Sequence, residues 1–422
     1  MGSLLQPQRT GRASRLITEL ARQKSTATCL EWFSRERGWI NEQHLRLCRI
    51  AAPTFREEQR AVWMAEQLRE LGWDAKLDRA GNVIATRGGG RRDAPLIAVT
   101  AHLDTVLAPR TPEDIRIGSE GRFLGPGVSD NGAGLAGLLA IAASWQAALP
   151  VDDAEAGLLI VANVGEEGEG NLSGMRYLCR QSALAARIRA FLILDGPSTD
   201  HITCRALASR RYEVAVSGRG GHSWSDFGIG NPVHALGRAI GLYADLRGEE
   251  RDVPRSSFNF GILEGGTSVN AIPVQARAKV DLRSEDAAEL DRMTESLTAC
   301  LEQALDAETR RVTGGRVTGR MKEIGSRPGG ALPENAAILE YLRAVDVHQG
   351  IRAQIDCAST DANIPLSMGL HAVSIGAGGQ GGGAHTPSEW FHPEGRDAGL
   401  RRIALALCAL LRDPQGVELA AS

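Results

Sequence analysis

Short apolar runs recur along the first half of the chain, and they lack the polar alternation of strands with one face in water. These runs, with one more near the C-terminus, fall at residues 82–86, 95–100, 158–164, 190–194 and 372–375. Between them lie segments with apolar residues at helical spacing, such as 57–71, and a small apolar helix that opens near Asn131. Continuously apolar strands that alternate with helices are typical of a parallel sheet covered on both faces. We therefore predict an α/β domain with a mostly parallel sheet flanked by helices.

The pattern changes near residue 209. Alternating strands and amphipathic helices follow at 212–217, 232–246, 257–263, 274–282 and 286–310. Such a series is typical of an antiparallel sheet with helices on one face. We predict that residues 209–315 form a separate α+β domain, inserted into a domain built from residues 1–208 and 316–422. About the first 25 residues are expected to be a loose or weakly helical extension.

Composition narrows the function classes. The chain has 422 residues, 43% hydrophobic and 23% charged, and its net charge of -3 gives no electrostatic support for binding nucleic acid or membrane surfaces. The seven cysteines are widely spaced, without a C-x-x-C motif, which favours reduced thiols in a cytoplasmic protein. No run reaches the roughly 18 apolar residues of a membrane span, and the N-terminus lacks the apolar stretch of a signal peptide.

Acidic and imidazole side chains follow four of the predicted strands. In chain order these are His102 with Asp104, Glu166 with Glu167, Asp195, and His385. Asp130 lies in a Gly-rich turn before a predicted helix. Open α/β sheets bind ligands at the carboxyl ends of their strands. Two histidines with several carboxylates and no cysteine form a ligand set suited to zinc, with manganese or cobalt as alternatives.

Each of these residues also has a simpler explanation. A single histidine after a strand is commonly a packed core residue or a capping residue. Asp130 is placed like a helix N-cap. Two adjacent glutamates, such as Glu166 and Glu167, are commonly part of a solvated surface loop. Their shared position at strand ends favours one common site. Acids do not accumulate in a crevice without a cation, because repulsion between like charges would protonate them.

Seven segments carry a more specific signal: AHLDTV (101–106), GPGVSDNGAG (125–134), GEEGEG (165–170), ILDGP (193–197), GRGGHS (218–223), GGTSVNAIP (265–273) and AHTPSEW (384–390). They resemble, in order and spacing, a family of two-metal exopeptidases and deacylases. It includes peptidase T, aminoacylase, glutamate carboxypeptidase, acetylornithine deacetylase and succinyl-diaminopimelate desuccinylase. The resemblance spans about residues 45–412, and the inserted domain resembles the family's lid and dimerisation domain.

The resemblance implies two divalent metal ions, zinc first and cobalt or manganese as alternatives. It implies that His102, Asp130 and Asp195 hold one ion. Glu167, Asp130 and His385 would hold the other, so that Asp130 bridges the two. It also implies a cis peptide bond after Asp130.

Further roles follow from the same resemblance. Glu166 looks like the general base, and Asp104 is expected to orient the imidazole two residues before it. His222 is expected to stabilise the oxyanion, in dimeric members from the other subunit, which implies a homodimer formed through the lid domain. Asn270 and Arg283 look like substrate contacts. For these three lid residues an ordinary turn histidine, turn asparagine and strand arginine are the alternatives.

The reaction implied is hydrolysis of an amide bond in a short peptide, as in an aminopeptidase or dipeptidase. Asp195 favours this, because the peptidase T and dipeptidase branches typically carry Asp at this position, whereas the carboxypeptidase and deacylase branches typically carry Glu. The alternative is an N-acyl-amino-acid deacylase or carboxypeptidase of the same family. A binding protein that kept the fold and lost its metals is a more remote alternative.

Overall fold

The structure, a computed structural model, describes residues 6–88, 93–148, 154–248 and 254–414. The chain divides into two compact units, one of residues up to Ala206 together with those from Gly330, the other of Leu207–Gly329. The helices are α1 (Gln6–Arg22), α2 (Lys24–Arg35), α3 (Arg37–Cys48), α4 (Glu58–Glu70), α5 (Gly132–Ala147), α6 (Ser173–Arg180), α7 (Pro232–Gly248), α8 (Ala287–Arg311), α9 (Ala337–Gln349), α10 (Asn363–Ser367) and α11 (Arg396–Arg412). None of these helices, within the described residues, is long and apolar enough to cross a membrane.

The strands of the larger unit are β1 (Asp74–Leu77), β2 (Val83–Gly88), β3 (Leu96–His102), β4 (Arg116–Ile117), β5 (Phe123–Leu124), β6 (Gly157–Asn163), β7 (Ile188–Leu194), β8 (His201–Ala206) and, after the smaller unit, β15 (Gly330–Ala331), β16 (Gln354–Ala358), β17 (His371–Ile375), β18 (Gln380–Gly382) and β19 (Trp390–His392). Those of the smaller unit are β9 (Ala208–Ser217), β10 (Gly221–His222), β11 (Ser256–Gly265), β12 (Ala271–Ile272), β13 (Gln275–Ser284) and β14 (Thr318–Arg327).

The larger unit is built on a sheet with the order β1-β2-β6-β3-β7-β17-β8-β15, with β16 beside β8. Its four central strands, β6, β3, β7 and β17, are parallel. The pairs towards both edges are antiparallel, except that β16 runs parallel to β8. The predicted α/β fold is confirmed, and the sheet is parallel at its centre and mixed overall.

The central strands are apolar because both faces of the sheet are covered. Every residue of β3 and β6 is buried, and separate apolar clusters fill the two faces. Because β6, β3, β7 and β17 are parallel, their carboxyl ends meet at one edge of the sheet. His102 is the last residue of β3, and Asp195 directly follows β7.

The N-terminal extension is helical, as one of the two expectations had it, but for the described residues the expectation of a loose segment is wrong. Residues 6–22 form α1, which packs against α9 and α11, and Ile17 and Leu20 are fully buried. Arg12 of the same helix forms an ion pair with Asp413 at 2.7 Å. Apolar residues at helical spacing explain the packing, since one face of α1 enters the core. Residues 1–5 of the expected extension lie outside the described part of the chain.

The smaller unit is an antiparallel sheet with the order β11-β13-β9-β14, together with a two-stranded ladder of β10 and β12. The helices α7 and α8 pack on the sheet and close an apolar core. The boundary predicted at residue 315 is too early, because β14 pairs with β9 along its length and extends this unit to Gly329. Few apolar residues lie in β14, so its sequence alone carries little strand signal.

Candidate metal centre

Asp130 lies between two imidazoles. Its Oδ1 is 3.1 Å from Nε2 of His102, and its Oδ2 is 3.0 Å from Nε2 of His385. One carboxylate therefore contacts two histidines that are 283 positions apart in the sequence. This is the arrangement that a carboxylate shared by two cations would have.

Three different elements produce this contact. His102 ends β3, and Asp130 lies in the turn between β5 and α5. His385 lies in the hairpin between β18 and β19, and β19 pairs with β5, so the hairpin is held next to the Asp130 turn. His385 has a φ of 64°, in the left-handed region that non-glycine residues adopt uncommonly. The peptide bond between Asp130 and Asn131 is cis, as the resemblance implied.

The other two predicted ligands lie in the same cluster. Glu167 Oε1 is 2.9 Å from Nε2 of His385, and Asp195 Oδ1 is 3.9 Å from Nε2 of His102. Ligand atoms of His102, Asp130 and Glu167 all lie within 4.8 Å of one another. The structure therefore brings all five sequence-predicted ligands together.

The cluster fits divalent metal ions. The buried Oδ1 of Asp130 has no hydrogen-bond partner among the described residues, although the His102 nitrogen is close, because the contact lacks hydrogen-bond geometry. Two ligand atoms of one tetrahedral zinc ion, each about 2.0–2.1 Å from it, lie about 3.3 Å apart. The observed 3.1 Å is close to this separation. Imidazole nitrogens and carboxylate oxygens are also the donors that zinc accepts.

The negative charges of the cluster also favour bound cations. Hydrogen bonds to Asp130 and Glu167 raise the pKa of His385 to about 10. Burial alone would lower the pKa of His102, but the carboxylates of Asp104, Asp130 and Asp195 outweigh it, and the pKa lies well above its usual value. The carboxylates around both imidazoles thus favour positive charge at this place, and divalent ions would supply it.

Asp104 does more than the sequence predicted. Its main-chain oxygen is 3.0 Å from Nδ1 of His102, while its carboxylate is 3.6 Å from the same nitrogen. That carboxylate accepts the backbone N–H groups of Glu166 at 3.0 Å and Glu167 at 2.9 Å, and the Thr54 hydroxyl at 3.0 Å. Asp104 therefore sets the positions of both glutamates as well as the imidazole. Glu166, the predicted base, is buried beside Glu167.

Asn131 connects two ligand positions, a role that sequence analysis missed. Its Oδ1 accepts the backbone N–H groups of Gly134 and Gly196, both at 3.1 Å, and its Nδ2 donates to the Leu194 carbonyl at 2.8 Å. The residues beside Asp130 and Asp195 are thereby tied together. A Cβ at Gly134 would lie 2.6 Å from the Leu194 oxygen, so the start of α5 approaches β7 only because this residue is glycine.

Asp361 is a second residue that the sequence analysis missed. Its Oδ2 accepts Nδ2 of Asn163, the last residue of β6, at 2.7 Å, and its buried Oδ1 has no partner among the described residues. Burial raises the pKa of Asp361 to about 7, and the nearby charges of Asp195 and Asp104 act in the same direction. The sequence shows only an aspartate outside the predicted strands, and nothing near it indicates that it is buried.

A cavity of about 650 Å³ opens beside Asp195 in the larger unit. Thr203 and Ser374, register partners on β8 and β17, line it, as do His201 and Gln354, register partners on β8 and β16. Its volume lies in the range of small-ligand pockets, although most of its lining residues are polar, whereas such pockets are mainly apolar.

In the smaller unit, His222 and Asn270 lie close together. His222 pairs with Ala271 in the β10–β12 ladder, and Ser223 N–H donates to the Asn270 carbonyl at 2.9 Å. The Nδ1 of His222 accepts the backbone N–H groups of Trp224 and Ser225. In the neutral ring the proton is therefore on Nε2, and this nitrogen can donate outwards.

Arg283 lies apart from this pair. It sits near the end of β13, where its Nε donates to Asp281 at 2.6 Å, whereas the β12 segment adjoins the start of β13 at Gln275. At about 3.3 Å per residue, the eight positions from Gln275 to Arg283 span roughly 26 Å. The structure therefore does not bring Arg283 together with His222 and Asn270 within this unit.

Two family models match the chain. The model described as Peptidase family M28 matches residues 82–211, which contain four of the five predicted ligands. The model described as Peptidase dimerisation domain, of the M20 peptidases, matches residues 208–309. The first match therefore covers the strands with most of the metal cluster, and the second covers most of the smaller unit.

Individual proteins agree with these matches. Succinyl-diaminopimelate desuccinylase from Paracoccus denitrificans is 27% identical over 283 residues, covering 63% of this chain and 72% of the relative. Aminopeptidase PepT from Bacillus cereus has a TM-score of 0.68 at 17% identity, covering 89% of this chain and 97% of the other. The YXEP protein of Bacillus subtilis, described as a dinuclear metal binding peptidase from the M20 family, has a TM-score of 0.63 at 15% identity, with 90% and 99% covered. At these identities the structural matches establish the fold.

Proposed function

Because the chain belongs to the M20 family of metal-dependent peptidases and amidohydrolases, we propose that it is a zinc-dependent exopeptidase acting on short peptides. The observation that carries this proposal is the Asp130 carboxylate, with one oxygen beside His102 and the other beside His385. His102, Asp130 and Asp195 would hold one ion, and Glu167, Asp130 and His385 would hold the other.

Metal ions bound there lower the pKa of water to about 7 and polarise the scissile carbonyl. The residues of the chain supply the rest of the chemistry. Glu166 takes a proton from the attacking water and delivers it to the leaving amine. Asp104 supports this step, because its carboxylate holds the backbone of Glu166 and Glu167 in place.

His222 is proposed to donate from Nε2 to the oxyanion that forms on the scissile carbonyl. The N–H groups that its Nδ1 accepts support this role, since they leave the proton on the outward nitrogen. Asn270, beside it, is proposed as a substrate contact. Arg283 remains a proposed contact, and its distance along β13 means that it serves a different part of the substrate or a different site.

We propose a homodimer formed through residues 209–315. The match to a peptidase dimerisation domain over 208–309 supports this. So does β11, an edge strand of its sheet that exposes Ile262 and Leu263. A cytoplasmic location is proposed because all seven cysteines are free thiols.

Substrate profiling tests the peptide assignment. Purified protein loaded with zinc is assayed against unblocked tripeptides, the same tripeptides with N-acetyl caps, and single N-acyl amino acids. We expect the unblocked peptides to be hydrolysed with the highest kcat/KM. Faster cleavage of N-acyl amino acids than of peptides would contradict the exopeptidase proposal.

The second candidate is an N-acyl-amino-acid deacylase. The 27% identity to succinyl-diaminopimelate desuccinylase favours it. N-succinyl and N-acetyl amino acids belong in the same panel for this reason. Preference for an N-succinyl substrate would establish the second candidate, whereas the metal cluster and Glu166 would keep their proposed roles in either reaction.

A further inference from the structure

Glu389 binds the turn that carries Asp130. Its Oε2 accepts the backbone N–H of Gly127, and its Oε1 accepts those of Ser129 and Asp130, all at 2.8 Å. The side chain is 3% exposed, and the turn lies 262 positions earlier in the chain than Glu389. Three backbone N–H groups of this turn thus donate to one carboxylate, and that carboxylate has no assigned role in the chemistry.

We propose that Glu389 is a positioning residue for the metal centre, holding the backbone of Asp130 so that its carboxylate faces both ions. This inference rests on the proposed metal-binding function. A carboxylate fits the position because it only accepts hydrogen bonds, and the turn presents only donors to it. Charged acceptors also make hydrogen bonds roughly twice as strong as neutral ones.

The location of Glu389 couples two ligands of the centre. It lies in the hairpin between β18 and β19, four residues after His385. The backbone N–H of Gly125 also donates to the Glu389 carbonyl, at 3.1 Å. Both the main chain and the side chain of Glu389 therefore join the His385 hairpin to the Asp130 turn, and they set the separation between these ligands.

Two further side chains hold the same turn at the Val128 carbonyl. His44 on α3 contacts the Val128 carbonyl through Nε2 at 2.7 Å, and Arg396 of α11 contacts His44 Nδ1 at 2.6 Å. A guanidinium only donates, so Nδ1 accepts and the proton is on Nε2, which donates to Val128. The carbonyl at 128 and the N–H groups at 127, 129 and 130 are thus all occupied. With the turn fixed from both sides, Asp130 has little backbone freedom.

Glu389→Gln is the informative substitution because it keeps the size of the side chain. The amide oxygen can still accept two N–H groups, but the NH₂ group then faces the third donor. Removing a hydrogen-bonding partner behind a metal ligand typically reduces metal affinity or activity by about 10–100-fold. We therefore expect zinc to bind Glu389→Gln on the order of 10–100-fold more weakly.

The measurement is the zinc dissociation constant of the metal-free full-length chain, obtained by competition with a chromogenic chelator, together with its melting temperature. The matched control is Glu308→Gln in the smaller unit. Glu308 is also fully buried and also accepts a backbone N–H, that of Asn231 at 3.0 Å. The control should lower the melting temperature and leave the zinc dissociation constant unchanged.

The inference is overturned if Glu389→Gln melts earlier but binds zinc within two-fold of the unsubstituted chain, because Glu389 would then support the fold alone. Glu389→Asp, which keeps the charge and lacks one methylene, is measured in parallel. If Glu389→Gln does not fold, the same two-fold limit on the zinc dissociation constant is applied to Glu389→Asp. If the unsubstituted chain itself binds no zinc, the proposed metal-binding function is wrong. Failure of that function is therefore distinguishable from failure of the proposal for Glu389.

Discussion

Glu166 and Glu167 are neighbours with separate environments. The backbone N–H of each binds one oxygen of Asp104, which fixes the pair at the end of β6. Glu167 then reaches His385 at 2.9 Å, within the metal cluster. In the proposed mechanism Glu167 would be a metal ligand and the adjacent Glu166 the general base.

Substitution of the two acids should give different defects. Glu166→Gln should keep both metal ions while kcat falls by on the order of 10²–10⁴, the usual range for loss of a general base. Glu167→Gln should instead lose one ion, because a neutral amide is a poorer zinc ligand. Metal analysis beside steady-state kinetics separates the two.

The exposed neighbour Glu169 provides the control, since Glu169→Gln should change neither quantity. Equal metal loss in the two variants at 166 and 167 would mean that the roles within the pair are assigned wrongly.

Among the elements, α1 is packed more firmly than the sequence predicted. It is a full helix whose apolar face packs on α9 and α11. Its register follows from Ala13, Ile17 and Leu20, which are all buried. The helix therefore contributes to the stability of the larger unit, although it carries none of the proposed site residues.

Leu20→Ala should destabilise the protein by about 2–5 kcal/mol, the usual cost of truncating a fully buried leucine. Denaturant unfolding of the full chain measures this, and Ser14→Ala, on the exposed side of the same helix, should change stability by less than about 0.5 kcal/mol. Equal small effects at both positions would contradict the packing of α1.

At the scale of the whole molecule, the proposed metal ions would hold together residues from distant parts of the chain. The predicted ligands come from β3, the turn before α5, the ends of β6 and β7, and the β18–β19 hairpin. Ions that bind only the folded protein stabilise it by mass action.

Dialysis against a chelator should abolish activity and lower the melting temperature, and added zinc, cobalt or manganese should restore both. Calcium at equal concentration is the control, because it prefers six to eight oxygen ligands. Activity that survives complete metal removal would rule out the proposed mechanism.

Assembly is tested by mixing two inactive variants. His222→Ala should keep its metals and fold but lose about 2.7–4 kcal/mol of transition-state stabilisation, as when one oxyanion donor is removed. If the partner subunit's His222 completes each site, mixing His222→Ala with Glu166→Gln subunits should restore part of the activity in the hybrid dimers. Subunit exchange without any recovery would show that His222 acts in its own chain or has no role.

The sequence by itself determined the elements whose signal is local. Continuous apolar runs predicted the buried strands, and parallel strands necessarily bring their carboxyl ends to one edge, so His102 and Asp195 were predictable at the same edge of the sheet. The motif resemblance added the assignment of Asp130 as a bridge between two ions and of His385 to one of them, which no periodicity could have supplied. The smaller domain was also predictable, except for β14, where polar residues conceal a strand that pairing with β9 stabilises.

Only the tertiary structure decided which polar groups meet across long separations. The bond from the Gly127 N–H to Glu389 crosses 262 positions, and the contact between Arg396 and His44 crosses 352. Nothing near these residues in the sequence identifies their partners, because a buried polar group can be satisfied by any donor or acceptor that the packing brings to it. The same reason explains Asp104, whose role beside the two glutamates depends on the alignment of β3 with β6.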